Sequence, residues 1–326
     1  NEAVQIEAHG SLGFTAPVAE GKEYYFAGWA DSSTGNATYA DGQTINIDAN
    51  GENVLYAVWV EKAEITLVAN SGTRTYNGAE QSIEGFESTT MNGYTVSGLT
   101  AVTKGTNVGE YTNTVFDGTA KVEKDGVDVT DKVAVKTRAG KLVITPKSIK
   151  TQEITVTKPA DSQYDGNEHK WSPTVTDKAD KKLEAVTDYT VEYSTSDFTN
   201  VTGTITVTIT GIGNYTGTVV RTYAITPAEV TVTANNANKV YGENDPELKA
   251  TVTGTLNNDT VDYTVTRDPG EDVDKYAIHV TGDEDQGNYH VTYTAGEFEI
   301  TKSGELILTA ELTGESATKV YDGNPL

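Results

Sequence analysis

The sequence predicts an all-β chain organised as a tandem array of small domains, and three observations lead there. The first is alternation. Thr202-Gly-Thr-Ile-Thr-Val-Thr-Ile-Thr210 sets hydroxyl side chains against Gly or apolar ones with a period of two, the pattern of a strand with one buried face. Tyr189-Thr-Val-Glu-Tyr193 and Val261-Asp-Tyr-Thr-Val265 do much the same. The second is recurrence. Segments end alike at Lys141-Leu-Val-Ile-Thr-Pro146, Thr222-Tyr-Ala-Ile-Thr-Pro227 and Glu297-Phe-Glu-Ile-Thr-Lys302, and strands restart near Glu64, Glu153, Glu229 and Glu305. The third is punctuation. A Tyr-turn signature follows each restart, at Tyr76-Asn-Gly78, Tyr164-Asp-Gly166, Tyr241-Gly242 and Tyr321-Asp-Gly323. Asn-Gly and Asp-Gly suit tight turns because Gly adopts positive φ at no steric cost.

The Tyr-turns stand 88, 77 and 80 residues apart, which sets a repeat of that size. Expected boundaries are 1–61, 62–147, 148–227 and 228–302, with 303–326 opening a further repeat that is cut just after its turn. No amphipathic helix is expected beyond residue 61; Asp177-Lys-Ala-Asp-Lys-Lys-Leu-Glu184 reads as the cap of a hairpin. Residues 1–61 are expected to form a compact β-grasp module with room for one short helix. The next three segments are expected to be elongated two-layer domains, β-sandwich or β-grasp-like, a choice the pattern leaves open. Pro146 and Pro227 follow strand ends directly and no Gly/Ser-rich linker intervenes, so the joints should be stiff and the array a semi-rigid rod. Compact-domain scaling gives ~30–40 Å per unit, on the order of 120–160 Å in all.

Composition narrows the functional classes. Hydrophobic residues make up 36% of the 326, Cys is absent and the net charge is −24. The absence of Cys removes disulfides and Cys-ligated metals. The negative charge disfavours nucleic acid and anionic membranes as partners, since both need basic surfaces. It is concentrated in residues 1–61, at −8, and residues 228–302, at −10, and its plainer reading is solubility. No apolar run approaches the ~20 residues of a membrane span. No signal peptide is visible, and both ends of the sequence fall within the repeating architecture.

Two resemblances follow from particular motifs. Tyr25-Phe-Ala-Gly-Trp29, Ala37-Thr-Tyr-Ala-Asp-Gly-Gln-Thr44 and Leu55-Tyr-Ala-Val-Trp59 resemble the internalin-type B repeat, with His9-Gly-Ser11 replacing the usual Gly-Gly opening turn. Two Trp residues on facing strands, with a Gly permitting close approach, make sense as a small core. Residues 62–302 look like three MBG or YDG modules, mostly-β repeats of large bacterial adhesins. The fullest match is Lys239-Val-Tyr-Gly242, Asp245-Pro-Glu-Leu248, Tyr276-Ala-Ile278, Gly287-Asn-Tyr289 and Phe298-Glu-Ile-Thr301. The second segment carries Tyr76-Asn-Gly78, Val108-Gly-Glu-Tyr111 and Gly126-Val-Asp-Val129; the divergent third retains Gly213-Asn-Tyr215. The resemblance implies an extracellular Gram-positive surface or cell-wall protein, in which such modules serve as stalks or adhesive repeats and do no catalysis.

No Gly-x-Ser-x-Gly elbow, His-Glu-x-x-His or phosphate loop occurs, and His9, His169, His279 and His290 are scattered so that only the last two can be neighbours. No residue is nominated as catalytic, cofactor-binding or metal-ligating, and the chain is read as a non-enzyme. Asp268, Glu271, Asp272 and Asp274 form one acidic loop, and Asp283, Glu284 and Asp285 another. Ca²⁺ wants several oxygens at once, but the spacing fits no twelve-residue Ca²⁺ loop, and solvated acidic loops are the plainer reading. A Lys–Asn covalent stitch shared by all units is disfavoured, because Ala228-Glu-Val-Thr-Val-Thr-Ala234 has no Lys and the terminal strands have no Asn. Trp171 is the best sugar-stacking candidate, although it stands where the repeats carry an apolar core residue. Of the adjacent Tyr24 and Tyr25, one is expected to be exposed. The Tyr-turn residues are expected to bury their rings and send their hydroxyls to backbone groups near the turn.

The expected function is structural: a stalk or spacer presenting a distal binding domain. Two other expectations belong to different classes. The repeats themselves bind host glycan, mucin or protein, marked by a concave aromatic-lined groove around Trp171 or at a joint. Alternatively the truncated repeat donates a strand and the chain self-associates into a fibre.

Overall fold

The computed structural model describes residues 2–178 and 181–304. The protein is all-β, with many small sheets and no α-helix among the described residues. The further repeat expected over 303–326, with its Tyr321 turn, lies almost wholly outside the described residues. The chain separates into two compact units, one of residues 1–155, 175–191 and 209–219, the other of residues 156–174, 192–208 and 220–326.

In the first unit, Glu2–Gln5 pairs antiparallel with Thr44–Ile47, and Tyr24–Ala30 with Tyr56–Glu61. The room for a short helix holds turns instead. Ser11 and Leu12 both donate to the Ala8 carbonyl, and Gly13 takes a positive φ of 78° that ends any helical run. Gly28 is obligatory: its φ is 136°, and a Cβ there would sit 2.4 Å from the Tyr39 carbonyl oxygen. That close approach lets Trp29 and Tyr39 exchange backbone hydrogen bonds of 2.8 and 3.0 Å. Trp29 is buried, but the two facing Trp residues are bridged by Phe26, whose ring lies edge-on to Trp29 at 5.4 Å and to Trp59 at 5.5 Å. His9 stacks on Phe26 at 4.1 Å and its ring nitrogen pairs with Asp41 at 2.7 Å.

Residues 63–145 are held by three sheets. Ala63–Val68 runs parallel to Val133–Arg138; Leu142–Thr145 runs parallel to Gly72–Thr75 and antiparallel to Gly109–Tyr111; Tyr94–Gly105 and Thr114–Lys124 form the centre of a five-stranded sheet. Ile65, Leu67, Val96, Val122 and Val133 make one buried cluster. Asn92-Gly93 and Asp125-Gly126 each close a two-residue hairpin with both residues at positive φ, between the pairs Met91–Tyr94 and Lys124–Val127. This is the primed turn whose twist matches that of the flanking strands. Val175–Asp177 and Lys181–Lys182 pair antiparallel, so the Lys-rich run does cap a hairpin. Thr204–Gly211 buries Ile205, Val207 and Ile209 to 1% exposure or less, the face its alternation predicts.

In the second unit, residues 228–301 form two four-stranded sheets and so resolve as a sandwich. One has the order Ala250–Thr253, Ala228–Ala234, Tyr289–Thr294, Asp285–Gln286; the other has Ala237–Val240, Gly296–Thr301, Lys275–Thr281, Thr264–Arg267. The faces that meet carry Val230, Val232 and Val291 against Ile278, Phe298 and Ile300, all at most 1% exposed. Each such side chain contributes about 1.5–3 kcal/mol of transfer free energy.

Candidate functional site

Three Tyr-turns are placed by one device. The Ile-Thr strand runs parallel to the strand before the Tyr, and the ladder continues one residue further: Tyr76 N–H donates to Thr145 O at 2.9 Å, Tyr164 to Thr226 at 2.8 Å and Tyr241 to Thr301 at 2.9 Å. Each phenol is thereby fixed at the end of its segment.

Two of the three turns are then met by a Gly-Asn-Tyr loop from further along the chain, and both meetings use the same bonds. In the first unit, Asn214 Oδ1 accepts from Val108 N–H at 2.8 Å while its Nδ2 donates to Asn107 Oδ1 at 3.1 Å. In the second unit, Asn288 Oδ1 accepts from Val201 N–H at 2.9 Å while its Nδ2 donates to Asn200 Oδ1 at 2.9 Å. The neighbouring tyrosines meet edge-on: Tyr76 with Tyr215 at 5.5 Å and 80°, Tyr164 with Tyr289 at 5.6 Å and 87°. Edge-to-face pairs are worth about 0.5–1.5 kcal/mol beyond their buried area. All four rings are buried, at 7, 2, 6 and 4% exposure. The backbone carbonyl of each Asn takes one more bond, from Lys147 N–H and Ala228 N–H, the residues directly after Pro146 and Pro227. A proline at that point supplies no N–H and leaves the next residue to make the contact. Each joint thus joins three stretches of chain through one asparagine, by its carboxamide and its backbone carbonyl.

Among the turn residues the Tyr164 hydroxyl departs from expectation: it goes to a carboxylate in the following segment and not to backbone near the turn. The hydroxyls of the Gly-Asn-Tyr loops also reach carboxylates. Tyr289 donates to Asp259 at 2.7 Å and accepts from Leu256 N–H at 3.0 Å; Tyr164 donates to the same carboxylate oxygen at 3.4 Å. Tyr215 donates to Asp177 at 3.4 Å, and Asp177 also pairs with the buried Lys147 at 2.5 Å. Burial works against the charge on Lys147, and hydrogen bonds to Asp177 and Glu153 overcome it, so its pKa stands above the ordinary value. Burial, then the Asp177 charge, raises Tyr215 as well.

Burial first and the Asp259 hydrogen bond second push Tyr289 from 10.0 up to about 12. A group whose folded pKa exceeds its unfolded one stabilises the fold fully below the unfolded pKa and loses that contribution as pH rises through the folded pKa. The melting temperature is therefore expected to fall more between pH 10 and 12 in the parent chain than in Tyr289→Phe. Melting curves of both proteins over that range check it; equal losses would mean this phenol does not titrate late.

Other sequence-nominated residues are placed as follows. Trp171 is half-buried; its backbone N–H donates to the Tyr223 hydroxyl at 3.3 Å and its carbonyl accepts from Tyr193 at 2.8 Å. Tyr24 and Tyr25 are both half-buried, so neither stands out into solvent. Two carboxylates of the exposed acidic loop make side-chain pairs. Asp268 pairs with His279 at 2.9 Å, while Glu271 pairs with Arg267 at 2.9 Å and with Lys239. Asp245 completes the network through a two-pronged contact with Arg267, at 2.6 and 3.1 Å, and 2.8 Å from Lys239. Those cations, Arg267 foremost, lower the Asp245 pKa to about 2. Asp285 pairs separately with His290 at 2.9 Å. Among the described residues no three His, Asp or Glu side chains gather as a metal-ligand set. No helix there is long and apolar enough to cross a membrane. A cavity of 530 Å³ lies within residues 1–61, lined by Val4, Ile6, Tyr39, Ile45, Leu55 and Tyr56 among others. Sequence reasoning looked for a groove near Trp171 and missed this one.

No curated protein matches the chain. Among solved structures, protocadherin gamma B2 extracellular cadherin domains 3–6 align at 9% identity over 74% of this chain and 71% of that one, with a TM-score of 0.22. PcdhgB3 EC1-4 aligns at 7% identity over 89% and 97%, with a TM-score of 0.21. Superpositions that weak do not establish a common fold. Residues 230–299, the segment holding Tyr241-Gly242 and Gly287-Asn288-Tyr289, match the family described as MBG domain (YGX type).

Proposed function

We propose that residues 62–147, 148–227 and 228–302 are successive repeats of one kind, following an internalin-type B repeat at 1–61. Together they act as a structural spacer in a bacterial extracellular surface protein, carrying a binding domain that lies elsewhere in that protein. The observation supporting this is the recurrence of one joint, with the same Asn–Asn, Asn–Val and Tyr–Tyr contacts at residues 76–215 and again at 164–289. A module that serves only itself has no need to place half-buried carboxamides at its end. A module that must hold its neighbour in a set orientation does, because a carboxamide bonded on both sides restricts rotation more than apolar contact alone. The MBG-type match over residues 230–299 fits the surface-protein setting.

The cavity within residues 1–61 supports a second reading, in which that module binds a ligand. Its volume is that of a small-molecule site, and Val4, Val54 and Tyr56 beside it are exposed. A glycan and mucin array probed with the whole chain, with Ca²⁺ and again with chelator, separates the readings. The spacer predicts no dose-dependent binding in either condition. Binding abolished by Tyr56→Ala would assign the adhesive role to the first module, and binding abolished by Trp171→Ala would assign it to the third. Loss in chelator alone would return the acidic loops to the centre.

A further inference from the structure

The third Tyr-turn is built like the other two but has no partner of their kind among the described residues. Tyr241 makes the same ladder bond to Thr301, yet it is 54% exposed where Tyr76 and Tyr164 are 7 and 6% exposed. The turn glycines agree. A Cβ on Gly78 would touch Lys181 at 4.0 Å and one on Gly166 would meet Asn257 at 2.4 Å, whereas one on Gly242 would meet nothing within 4 Å among the described residues.

The second half of the joint is present too. Tyr111 donates to Asn107 O at 2.8 Å, four residues back, and its ring covers Gly105; Tyr276 donates to Asp272 O at 3.0 Å, four residues back, and its ring covers Gly270. Asp272-Val273 therefore occupies the place of Asn107-Val108. Its side chain keeps the acceptor oxygen that Asn214 Nδ2 uses at the first joint. Val273 is 44% exposed, and among the described residues nothing accepts from its N–H.

We propose that Tyr241, Asp272 and Val273 form a docking face for the Gly-Asn-Tyr loop of one further repeat of the same kind. The incoming Asn Oδ1 takes the Val273 N–H, its Nδ2 donates to the Asp272 carboxylate, and the incoming Tyr ring lies edge-on to Tyr241. The chemistry of the occupant is read from the two filled joints, and the inference rests on reading those joints as repeat contacts.

The test extends the chain by replacing residues 303–326 with a second copy of residues 228–302, and in a parallel protein with residues 148–227. Amide exchange is followed at Val108, Val201 and Val273. Val108 and Val201 are expected to be protected in the unextended chain, with Val273 exchanging freely. Extension should slow Val273 at least about tenfold, a 1.4 kcal/mol effect, and Asn→Ala at the appended Gly-Asn-Tyr loop should reverse it. Two results overturn the proposal: free exchange at Val273 in both extended proteins, or appended repeats left without protection of their own. Protection of Val273 in the unextended chain that grows with concentration would assign the face to a second copy and overturn the stated occupant. Unprotected Val108 and Val201 would instead refute the underlying reading of the joints.

Discussion

Replacing Tyr289 with alanine is expected to cost about 3–5 kcal/mol, the range for deleting a large buried aromatic side chain, and to release the second joint with it. The ring is 4% exposed, it opens the central strand Tyr289–Thr294 opposite Ala228, and its edge contact covers Tyr164. Tyr289→Phe keeps the ring and removes only the hydroxyl that bridges Asp259 and Leu256, so its cost should be about 1–3 kcal/mol. Amide exchange reads the two effects separately. Val230 and Val291 report the sandwich, and Val201, held by Asn288 Oδ1, reports the joint. In Tyr289→Ala all three should lose protection. In Tyr289→Phe the sandwich amides should weaken modestly and Val201 should hold. If Val201 kept its protection in Tyr289→Ala, the carboxamide alone would carry the joint and the tyrosine pair would be packing.

The regular parts of this chain were legible because their causes are local. Alternation in Thr202–Thr210 predicts which side chains point inward, and burial of Ile205, Val207 and Ile209 follows. Asn92-Gly93 and Asp125-Gly126 demand primed turns from their own backbone preferences. The joints were not legible, because Asn214 meets Asn107 across 107 residues and no periodicity links them. Gly-Asn-Tyr stood out only as a recurring mark; recurrence in two segments was the one available signal that its Asn does something. For the same reason Tyr76, Tyr164 and Tyr241 read alike in sequence, while burial of the first two is conferred by side chains far along the chain. Lys239 shows the converse. Its Lys239-Val-Tyr-Gly242 and Asp245-Pro-Glu-Leu248 motifs were legible, and the carboxylates of the acidic loop are exposed as expected, but nothing in the sequence showed that Glu271 of that loop joins Asp245 in pairing with Lys239 and Arg267. Formal charge cannot reveal which carboxylates face a buried cation.

Gly118→Ala should disturb the first joint from a distance. Gly118 lies where Tyr94–Gly105 and Thr114–Lys124 shift register, its φ is 96°, and a Cβ would sit 2.1 Å from the Gly98 carbonyl oxygen. Gly98 faces the same problem against Thr119 O at 2.3 Å. The obstacle is backbone on both sides, so no rotamer change relieves it. The left-handed conformation costs about 1–2 kcal/mol and the overlap about 1–3 kcal/mol more. Gly126→Ala is the matched control: its φ is 78°, but among the described residues nothing lies within 4 Å, so only the conformational cost remains. Protection at Val96 and Val122 in the core cluster should fall far more in Gly118→Ala than in Gly126→Ala. Tyr94–Gly105 ends two residues before Asn107, so straightening the bulge displaces the segment that receives Asn214. Val108 protection should then fall together with the core in Gly118→Ala and stay intact in Gly126→Ala. Equal losses in the two variants would mean that the paired glycines serve the turn preferences of the strands alone, and that the close backbone approach does not position the joint.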